Sequence, residues 1–301
     1  MDRAKILTGY LFRWLATTVW CGAFLGCGGE PAIVVASKNF TEQVILGEII
    51  AQHLEYRLKK PVDRRLNLAG TLLAHEALTN GDVDLYPEYT GTALTAILKL
   101  PVSRDSNAVL QSVRNEYRRR WGIHWMEPFG FNDTFALIVR GEEARRDGIT
   151  TISDAATRAQ GWKFGMGYEF QQRPDGLDGL MKTYGLSLDG SIKTMDLGLL
   201  YRALEQGEVN MLAANSTDGL LSVLDVRVLE DDQHYFPPYD AAIVVRAEAL
   251  RAFPGLEEAL KDLSGKFTDE MMQGLNYEVD GKHRPVREVA HEFLQMAKLM
   301  P

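Results

Sequence analysis

A helix–glycine–strand pattern occurs twice in the chain, in residues 75–85 and again in residues 201–211. Ala, Leu, Gly and Val coincide when the two segments are aligned, and an acidic residue follows the glycine in both. Continuing the alignment sets Tyr89 opposite Asn215. Because such units recur in any α/β protein, the similarity could reflect common local structure and nothing more. The sharper interpretation is a pair of similar α/β domains that present the same strand end to one shared cleft.

The first of these segments leads into a strand end that is rich in polar residues. The apolar run of the strand is predicted to end at Pro87, since proline cannot donate to a central ladder. Thr90 or Thr92 is expected to cap the helix that follows, and Gly91 permits a close backbone approach. Ligands bind at the carboxyl ends of strands in open α/β sheets, so Tyr89 is a candidate binding residue.

Composition and charge narrow the function classes. The chain has 301 residues, of which 46% are hydrophobic and 25% charged, and this is ordinary for a globular protein with one large or two medium domains. Its formal net charge is −8, whereas a nucleic-acid partner would require a basic face. We therefore predict no nucleic-acid partner.

The first residues are typical of a bacterial export signal. Basic residues precede an apolar run, residues 14–25, that is too short for a comfortable membrane span. A small residue followed by Cys27 after such a run resembles a lipoprotein signal. This resemblance implies a signal peptide of residues 1–26, a lipid on Cys27, and a location in the periplasm or at the cell surface. Ordinary signal cleavage and a plain membrane anchor are the alternatives.

Two basic residues are predicted to lie at helix amino termini. Lys38 falls between a buried-type strand and a helix, and Asn39 with Glu42 matches the capping-box pattern. Arg173 precedes Pro174, which suits the first turn of a helix. A helix amino terminus and a basic side chain both attract an anion, and the arginine fork suits a carboxylate. A solvated lysine and a surface ion pair are the ordinary alternatives.

Two similar segments are predicted to connect the domains. Each joins aromatic residues and an aspartate to an apolar strand, first in residues 128–140 and later in residues 236–246. If both segments cross between domains, lobe 1 contains residues 27–133 plus 240–301, and lobe 2 contains residues 134–239. The predicted fold class is therefore α/β, with two lobes and a ligand cleft between them.

Four motifs carry a family resemblance that extends over residues 31–299. They are Ser37-Lys38-Asn39-Phe40-Thr41-Glu42-Gln43, Asp84-Leu85-Tyr86-Pro87-Glu88-Tyr89-Thr90-Gly91-Thr92, Arg173-Pro174-Asp175-Gly176-Leu177 and Pro237-Pro238-Tyr239-Asp240. These motifs resemble the substrate-binding proteins of ABC importers for glycine betaine, choline, carnitine and other quaternary amines. The resemblance implies a type II periplasmic-binding-protein fold, in which each lobe is a mixed sheet flanked by helices and the lobes close on the ligand.

The resemblance also implies which residues hold the ligand. Rings box the trimethylammonium head, because a quaternary ammonium has no hydrogen to donate and ring faces attract it. The implied cage rings are Tyr89, Phe135 and Tyr239. The implied acid beside the cationic head is Asp133. The implied partners of the ligand carboxylate are Lys38, Thr92 and Arg173. The fourth cage position falls on Asn215, which implies weaker betaine binding, a different or bulkier ligand, or an amide that faces solvent.

Two other function classes compete with binding. An enzyme would use His75, Glu88 or Asp84 with Ser37 or Ser216 as nucleophile, but the sequence has no Gly-x-Ser-x-Gly elbow and no histidine pair with metal-ligand spacing. A sensory lobe that signals to a membrane partner would share the fold and the site. The prediction is a monomeric binding protein without catalysis, cofactor or metal. It would deliver a quaternary amine to an ABC permease and reach the membrane through its lipid anchor.

Overall fold

Two β-sheets organise the chain. The computed structural model describes residues 32–188 and 190–301, and the strands within them form two five-stranded sheets. The strands are β1 (Ile33–Lys38), β2 (Val62–Ala69), β3 (Leu85–Tyr89), β4 (Ile123–Trp125), β5 (Phe135–Arg140), β6 (Phe164–Met166), β7 (Ile192–Thr194), β8 (Met211–Asn215), β9 (Val226–Val228) and β10 (Ala241–Arg246).

Helices connect and cover these strands. They are α1 (Thr41–Leu58), α2 (Thr71–Asn80), α3 (Thr90–Thr92), α4 (Ser106–Trp121), α5 (Gly141–Asp147), α6 (Ile152–Ala156), α7 (Tyr168–Gln172), α8 (Leu177–Tyr184), α9 (Leu197–Glu205), α10 (Ala247–Ala252), α11 (Leu256–Lys261), α12 (Asp269–Asp280) and α13 (Val286–Met296). A π-helical turn, Ala93–Ile97, continues α3, and a 3-10 turn, Gly219–Ser222, follows β8.

The two sheets have the same topology, with the orders β2-β1-β3-β10-β4 and β7-β6-β8-β5-β9. In the first, β1 is parallel to β2 and β3, while β10 is antiparallel to β3 and β4. In the second, β6 is parallel to β7 and β8, and β5 is antiparallel to β8 and β9. The repeated sequence unit is therefore a structural repeat, in which β3 ends at Tyr89 and the equivalent β8 ends at Asn215. The lobe boundaries themselves stay a prediction.

The amino-terminal predictions concern residues that the structure does not describe. The predicted signal peptide, residues 1–26, and the predicted lipidation site, Cys27, both lie outside the described residues. Among residues 32–188 and 190–301, no helix has the length and apolar character that crossing a membrane requires.

Strand β3 continues through Pro87, and the prediction that it ends there is wrong. Pro87 lies within the strand and opposite Ile243 of β10. In the described residues, the parallel pairing of β3 with β1 is confined to Leu85 and Val35. Beyond Leu85 the strand therefore has one side without a ladder, and a strand with such a free side tolerates the missing N–H of proline.

The start of α3 is tied to the later connecting segment. The predicted threonine cap is wrong, because neither Thr90 nor any other described side chain caps α3, whose N-cap residue is Tyr89. The Thr90 hydroxyl instead donates to the Pro238 carbonyl at 3.1 Å and accepts from the Asp240 N–H at 3.0 Å. The close approach predicted at Gly91 is confirmed, since a Cβ there would lie 2.6 Å from the Tyr239 ring and 2.7 Å from the Pro238 oxygen.

Helix α1 is buried on most of its surface. It packs against β1 and β2 and against α11, α12 and α13, so polar residues such as Gln52 and His53 are buried together with most apolar residues of the helix. The predicted capping box is wrong. The N-cap residue is Phe40 rather than Asn39, and no described side chain makes a capping hydrogen bond there. Glu42 instead accepts hydrogen bonds from outside the helix.

Arg173 does not lie at a helix amino terminus, contrary to the sequence prediction. It directly follows α7, and α8 begins only at Leu177. The turn between these helices is tight, because a Cβ on Gly176 would lie 1.9 Å from the Phe170 carbonyl oxygen. Pro174 therefore belongs to a turn, and Arg173 is held between two helices.

The two connecting segments pair with each other just before β5 and β10. Asn132 and Asp240 form an isolated antiparallel bridge, and the Asp133 N–H donates to the Tyr239 carbonyl at 3.2 Å. The Tyr239 N–H donates in turn to the Asn132 side chain. Paired connections of this kind hold two lobes at one place and suit a hinge.

Replacing Gly91 with Ala is expected to lower the free energy of unfolding by about 1–3 kcal/mol, because the new methyl group overpacks against Tyr239 and Pro238. Gly274→Ala is the matched control. It lies in α12, where an added Cβ meets nothing within 4 Å, and it is expected to stabilise by roughly 0.5–1 kcal/mol. Chemical denaturation measures both changes, and equal stability of the two variants would contradict the close approach at Gly91.

Candidate functional site

One cavity contains every ligand-binding residue that the sequence predicts. It has a volume of about 620 Å³ and takes its walls from residues that follow strands of both sheets. The predicted residues that line it are Lys38, Tyr89, Thr92, Asp133, Phe135, Arg173, Asn215 and Tyr239. Within the described part of the chain, six carboxyl side chains and two basic side chains line this cavity.

Aromatic rings form two groups on the cavity wall. Tyr89 stacks on Phe40, with ring centroids 6.2 Å apart and an interplanar angle of 23°. Phe135 meets Tyr239 edge-on at 5.7 Å and Phe170 edge-on at 4.8 Å. Phe40 and Phe170 were not predicted as site residues. The sequence gives little indication of their role, because an aromatic residue in a helix, or just before one, usually belongs to the hydrophobic core.

Lys38 is buried and carries its own counter-ion. Its ammonium donates to Glu88, and both side chains are almost completely shielded from solvent. Glu88 also accepts from the Tyr86 hydroxyl at 3.0 Å. The Lys38 nitrogen lies 5.2 Å from the centroid of the Tyr89 ring. The solvated-lysine alternative is therefore wrong, but the charge of Lys38 is neutralised within the fold.

Arg173 is likewise buried and paired. Its guanidinium donates to both carboxylate oxygens of Asp175, and Nη1 donates to the Thr92 hydroxyl at 2.8 Å. It also lies over the rings of Phe135 and Tyr239, at 5.0 and 5.6 Å from their centroids. The surface-ion-pair alternative is wrong, since Arg173 is only 8% exposed. Because Thr92 follows β3 of the first sheet, this hydrogen bond joins the two halves.

A second bond between the halves is made by Glu169 in α7. Its carboxylate accepts from the Thr71 N–H at 2.6 Å and from the Thr71 hydroxyl at 3.0 Å, at the amino terminus of α2. The helix dipole favours a carboxylate at this end. Gly70 leaves room for the contact, because a Cβ there would lie 2.6 Å from the carboxylate oxygen. The halves therefore close over the cavity in this structure.

Glu42 is a binding-site candidate that the sequence did not single out. It accepts from the Tyr89 hydroxyl at 2.7 Å, from the Thr217 hydroxyl at 2.6 Å and from the Asn276 amide at 3.1 Å. The same amide donates to the Thr217 carbonyl at 2.9 Å. Burial raises the pKa of the Glu42 carboxyl, although these hydrogen bonds oppose the increase.

Two further carboxyl groups lie on the same side of the cavity. Asp133 is 7% exposed, and its Oδ1 has no hydrogen-bond partner among the described residues. Burial and the charge of Glu42 raise its pKa well above the ordinary value. Asp218 accepts from the Tyr201 hydroxyl at 2.9 Å and from the Asn215 N–H at 3.3 Å. Burial raises the pKa of Asp218 to about 7.

Three carboxylates were not identified from the sequence, and the sequence indicates their roles to different degrees. Asp175 lies two residues after Arg173, a spacing that permits the observed fork contact, so the Arg-Pro-Asp motif contained a usable signal. Glu42 stood in a motif that also matches a helix cap, and the capping interpretation hid its role. Asp218 follows β8 by three residues and has no distinctive pattern, because only the folded chain buries it.

Two similar α/β halves that enclose one cavity, and that hydrogen bond to each other across it, define a two-lobed ligand-binding protein. Comparison with known proteins identifies the family. Residues 31–296 match the family model described as the substrate binding domain of the ABC-type glycine betaine transport system, and the chain belongs to that family. Its fold is the type II periplasmic-binding-protein fold that the sequence predicts.

Individual relatives differ in the ligand that their names give. The chain is 37% identical over 290 residues to an ergothioneine transport permease/ergothioneine binding protein, EgtU, of Helicobacter pylori; the match covers 96% of this chain but 52% of that protein, about half its length. It is 34% identical over 286 residues to a glycine-betaine-binding protein of Pseudomonas aeruginosa, covering 91% of each. A crystal structure of a glycine betaine/carnitine/choline ABC transporter matches with a TM-score of 0.74 and 31% identity, over 89% of this chain and 99% of that one.

Asp218→Asn is expected to gain stability relative to the unchanged protein as the pH rises. The carboxyl pKa moves from an ordinary value of 3.8 to about 7 in the folded protein, so the folded state holds the proton more tightly. The stability from this group is complete below the unfolded pKa and is lost as the pH rises through the folded pKa. Asparagine has no such loss and still offers Tyr201 an acceptor.

Urea denaturation of both proteins from about pH 4 to about pH 8 measures this difference in the free energy of unfolding. A difference that stays constant over the whole range would contradict the raised pKa of Asp218.

Proposed function

We propose that this protein is the solute-binding component of an ABC importer and binds a quaternary-ammonium compatible solute such as glycine betaine, with choline and carnitine less favoured. The observation that carries the proposal is the cavity lining. Rings stand beside six carboxyl groups, while both lining basic residues already have carboxylate partners of their own. Ring faces and surplus negative charge select a cation, and a methylated one loses no hydrogen bond on burial.

The proposed ligand-binding residues divide by charge. The rings of Tyr89, Phe135 and Tyr239 would face the methylated head, at roughly 0.5–2 kcal/mol per ring contact, with the carboxyl group of Asp133 beside it. A ligand carboxylate would meet Arg173, Thr92 and Lys38. A guanidinium has five N–H donors, and Asp175, Thr92 and Thr95 take four of those on Arg173. Among the described residues nothing takes the fifth donor, which leaves it for a ligand.

Binding without chemistry is the proposed mechanism. Ligand in the cavity touches both halves, so it has a higher affinity for the closed form and shifts the population toward it. The paired segments near Asp133–Phe135 and Pro237–Tyr239 would act as the hinge. The closed protein, a monomer without cofactor or metal, would then dock on the permease subunit. We place it in the periplasm or at the cell surface, held by a lipid on Cys27 after removal of residues 1–26.

A larger betaine is the second candidate ligand. The cavity of about 620 Å³ is within the range that holds drug-sized ligands, and glycine betaine would fill only part of it. Asn215 offers an amide where a fourth ring would stand, which suits a ligand with a hydrogen-bonding group. Ergothioneine, named for one relative, is a betaine of this kind. A sensory lobe would bind the same ligands, and a hydrolase would consume them.

Calorimetric titration with glycine betaine, choline, carnitine and ergothioneine tests the proposal, with unmethylated glycine as the control. We expect saturable binding of at least one methylated compound and none of glycine. Preference for glycine betaine over choline would support the carboxylate partners, and preference for ergothioneine would support the larger ligand. Absence of heat with all four would refute a quaternary-amine ligand, and turnover of any of them would refute binding without chemistry.

Replacing Tyr89 tests the ring cage. Tyr89→Ala removes a ring face and is expected to weaken binding by about 2- to 30-fold, the equivalent of one cation–π contact. Tyr89→Phe keeps the ring and loses the hydroxyl bond to Glu42, so it is the matched control and should lose less affinity. An affinity of Tyr89→Ala equal to that of the unchanged protein would remove Tyr89 from the cage.

A further inference from the structure

Three buried carboxyl groups in the cavity wall have no basic partner in the part of the chain that the structure describes. Among the described residues, no lysine, arginine or histidine is bonded to Glu42, Asp133 or Asp218. The two basic residues of the cavity do not serve them, because Lys38 pairs with Glu88 and Arg173 pairs with Asp175. A buried carboxylate without a counter-ion is costly, so such groups retain protons or await a cation.

The surroundings of this carboxyl cluster, defined as Glu42, Asp133 and Asp218, are neutral donors and one more acid. Hydroxyls and an amide reach it from β3, α9, α12 and the segment after β8. Asp280 of α12 adds a further negative charge toward Asp218, while itself accepting from Thr41 and facing His283. The groups that face the cluster are Tyr89, Tyr201, Thr217, Asn276 and Asp280.

One carboxyl group of the cluster has unused hydrogen-bonding capacity. Asp133 lines the cavity, is buried, and has an Oδ1 without a hydrogen-bond partner among the described residues. The other two carboxyl groups of the cluster are more fully hydrogen bonded. Glu42 accepts three side-chain hydrogen bonds, and Asp218 accepts one from a side chain and one from a backbone N–H. Because Asp133 lines the cavity and the other two carboxyl groups are more fully hydrogen bonded, Asp133 is the member of the cluster that a cationic group of a ligand would meet.

We propose that a cationic ligand takes the place of a proton held by the carboxyl cluster, so that binding releases a proton to the solvent and affinity falls in acid. This inference rests on the proposed function and names Glu42 and Asp218 as further determinants of the same site. A permanent cation brings the counter-charge that the fold itself does not supply. For each positive charge bound, one proton is lost. That proton belongs to the cluster as a whole rather than to one residue.

The direction of the pH dependence follows from the raised pKa values. Burial raises the pKa of all three carboxyl groups, that of Asp218 to about 7. A bound cation favours their ionised form and lowers those pKa values, which means that bound protein carries fewer protons. Affinity is therefore expected to be highest above the pKa of the free cluster and to fall by up to about tenfold per pH unit below it.

Calorimetry with choline and glycine betaine on the full chain tests the proposal, because neither compound titrates between about pH 5.5 and about pH 8. Titrations at one pH in two buffers that differ in ionisation enthalpy report the protons released. We expect a release of about one proton near pH 6 and a weaker affinity at about pH 5.5 than at about pH 8. Equal heats in both buffers together with constant affinity would overturn the proposal.

Neutral variants test which carboxyl groups share the released proton. Asp133→Asn and Asp218→Asn are each expected to weaken binding at about pH 8 and to reduce the proton release and the pH dependence. Asp84→Asn is the matched control, a buried acid outside the cavity that pairs with Arg246, and it should keep the full pH dependence. Unchanged proton release in both cluster variants would also overturn the proposal. The measurements on the unchanged protein decide the matter if a variant does not fold.

The same titrations separate this inference from the function on which it rests. Binding of either amine without proton release leaves the quaternary-amine function intact and refutes the proton exchange. Absence of binding of every methylated amine at every pH refutes both. Proton release in the unchanged protein that is lost in Asp133→Asn supports both.

Discussion

The buried carboxylate of Glu42 is the contact on which the arrangement of the cavity depends. It accepts hydrogen bonds from Tyr89 at the end of β3, from Thr217 after β8, and from Asn276 in α12. Burying a carboxylate carries a penalty of several kcal/mol unless its lone pairs are satisfied. These elements, which lie far apart in sequence, must therefore meet around the first turn of α1 whenever the halves are closed.

The ion pairs that the basic residues of the cavity make within the protein decide what the cavity can recognise. Lys38 and Arg173 are neutralised by Glu88 and Asp175, so they contribute directed donors more than net positive charge. In the part of the chain that the structure describes, Glu42, Asp133 and Asp218 have no such basic partner, and the rings present negative faces. In a buried site with a low dielectric constant these effects are strong. The cavity thus favours a desolvated cation, although its basic residues alone would have indicated an anion.

Local sequence patterns predicted much of the fold and the positions of the site residues. The repeated helix–glycine–strand unit marked two equivalent strands, and their last residues, Tyr89 and Asn215, both line the cavity. Patterns failed where a neighbour decided the outcome. Pro87 stays inside β3 because part of that strand has a free side. Glu42 serves no capping box because donors from other elements reach it, and a local pattern contains no information about them.

The sequence by itself determined the two-lobed α/β class and the strand ends that meet at one cleft, and its four motifs resemble a family whose aromatic and basic site residues fall on positions that line this cavity. Periodicity, turn residues and motif spacing act over short stretches, so they can be read without coordinates. Only the tertiary structure decided the protonation and pairing of those residues. Whether Arg173 meets Asp175, or Asp133 is buried beside Glu42, depends on burial and on contacts between distant segments, and electrostatic energies change steeply with both.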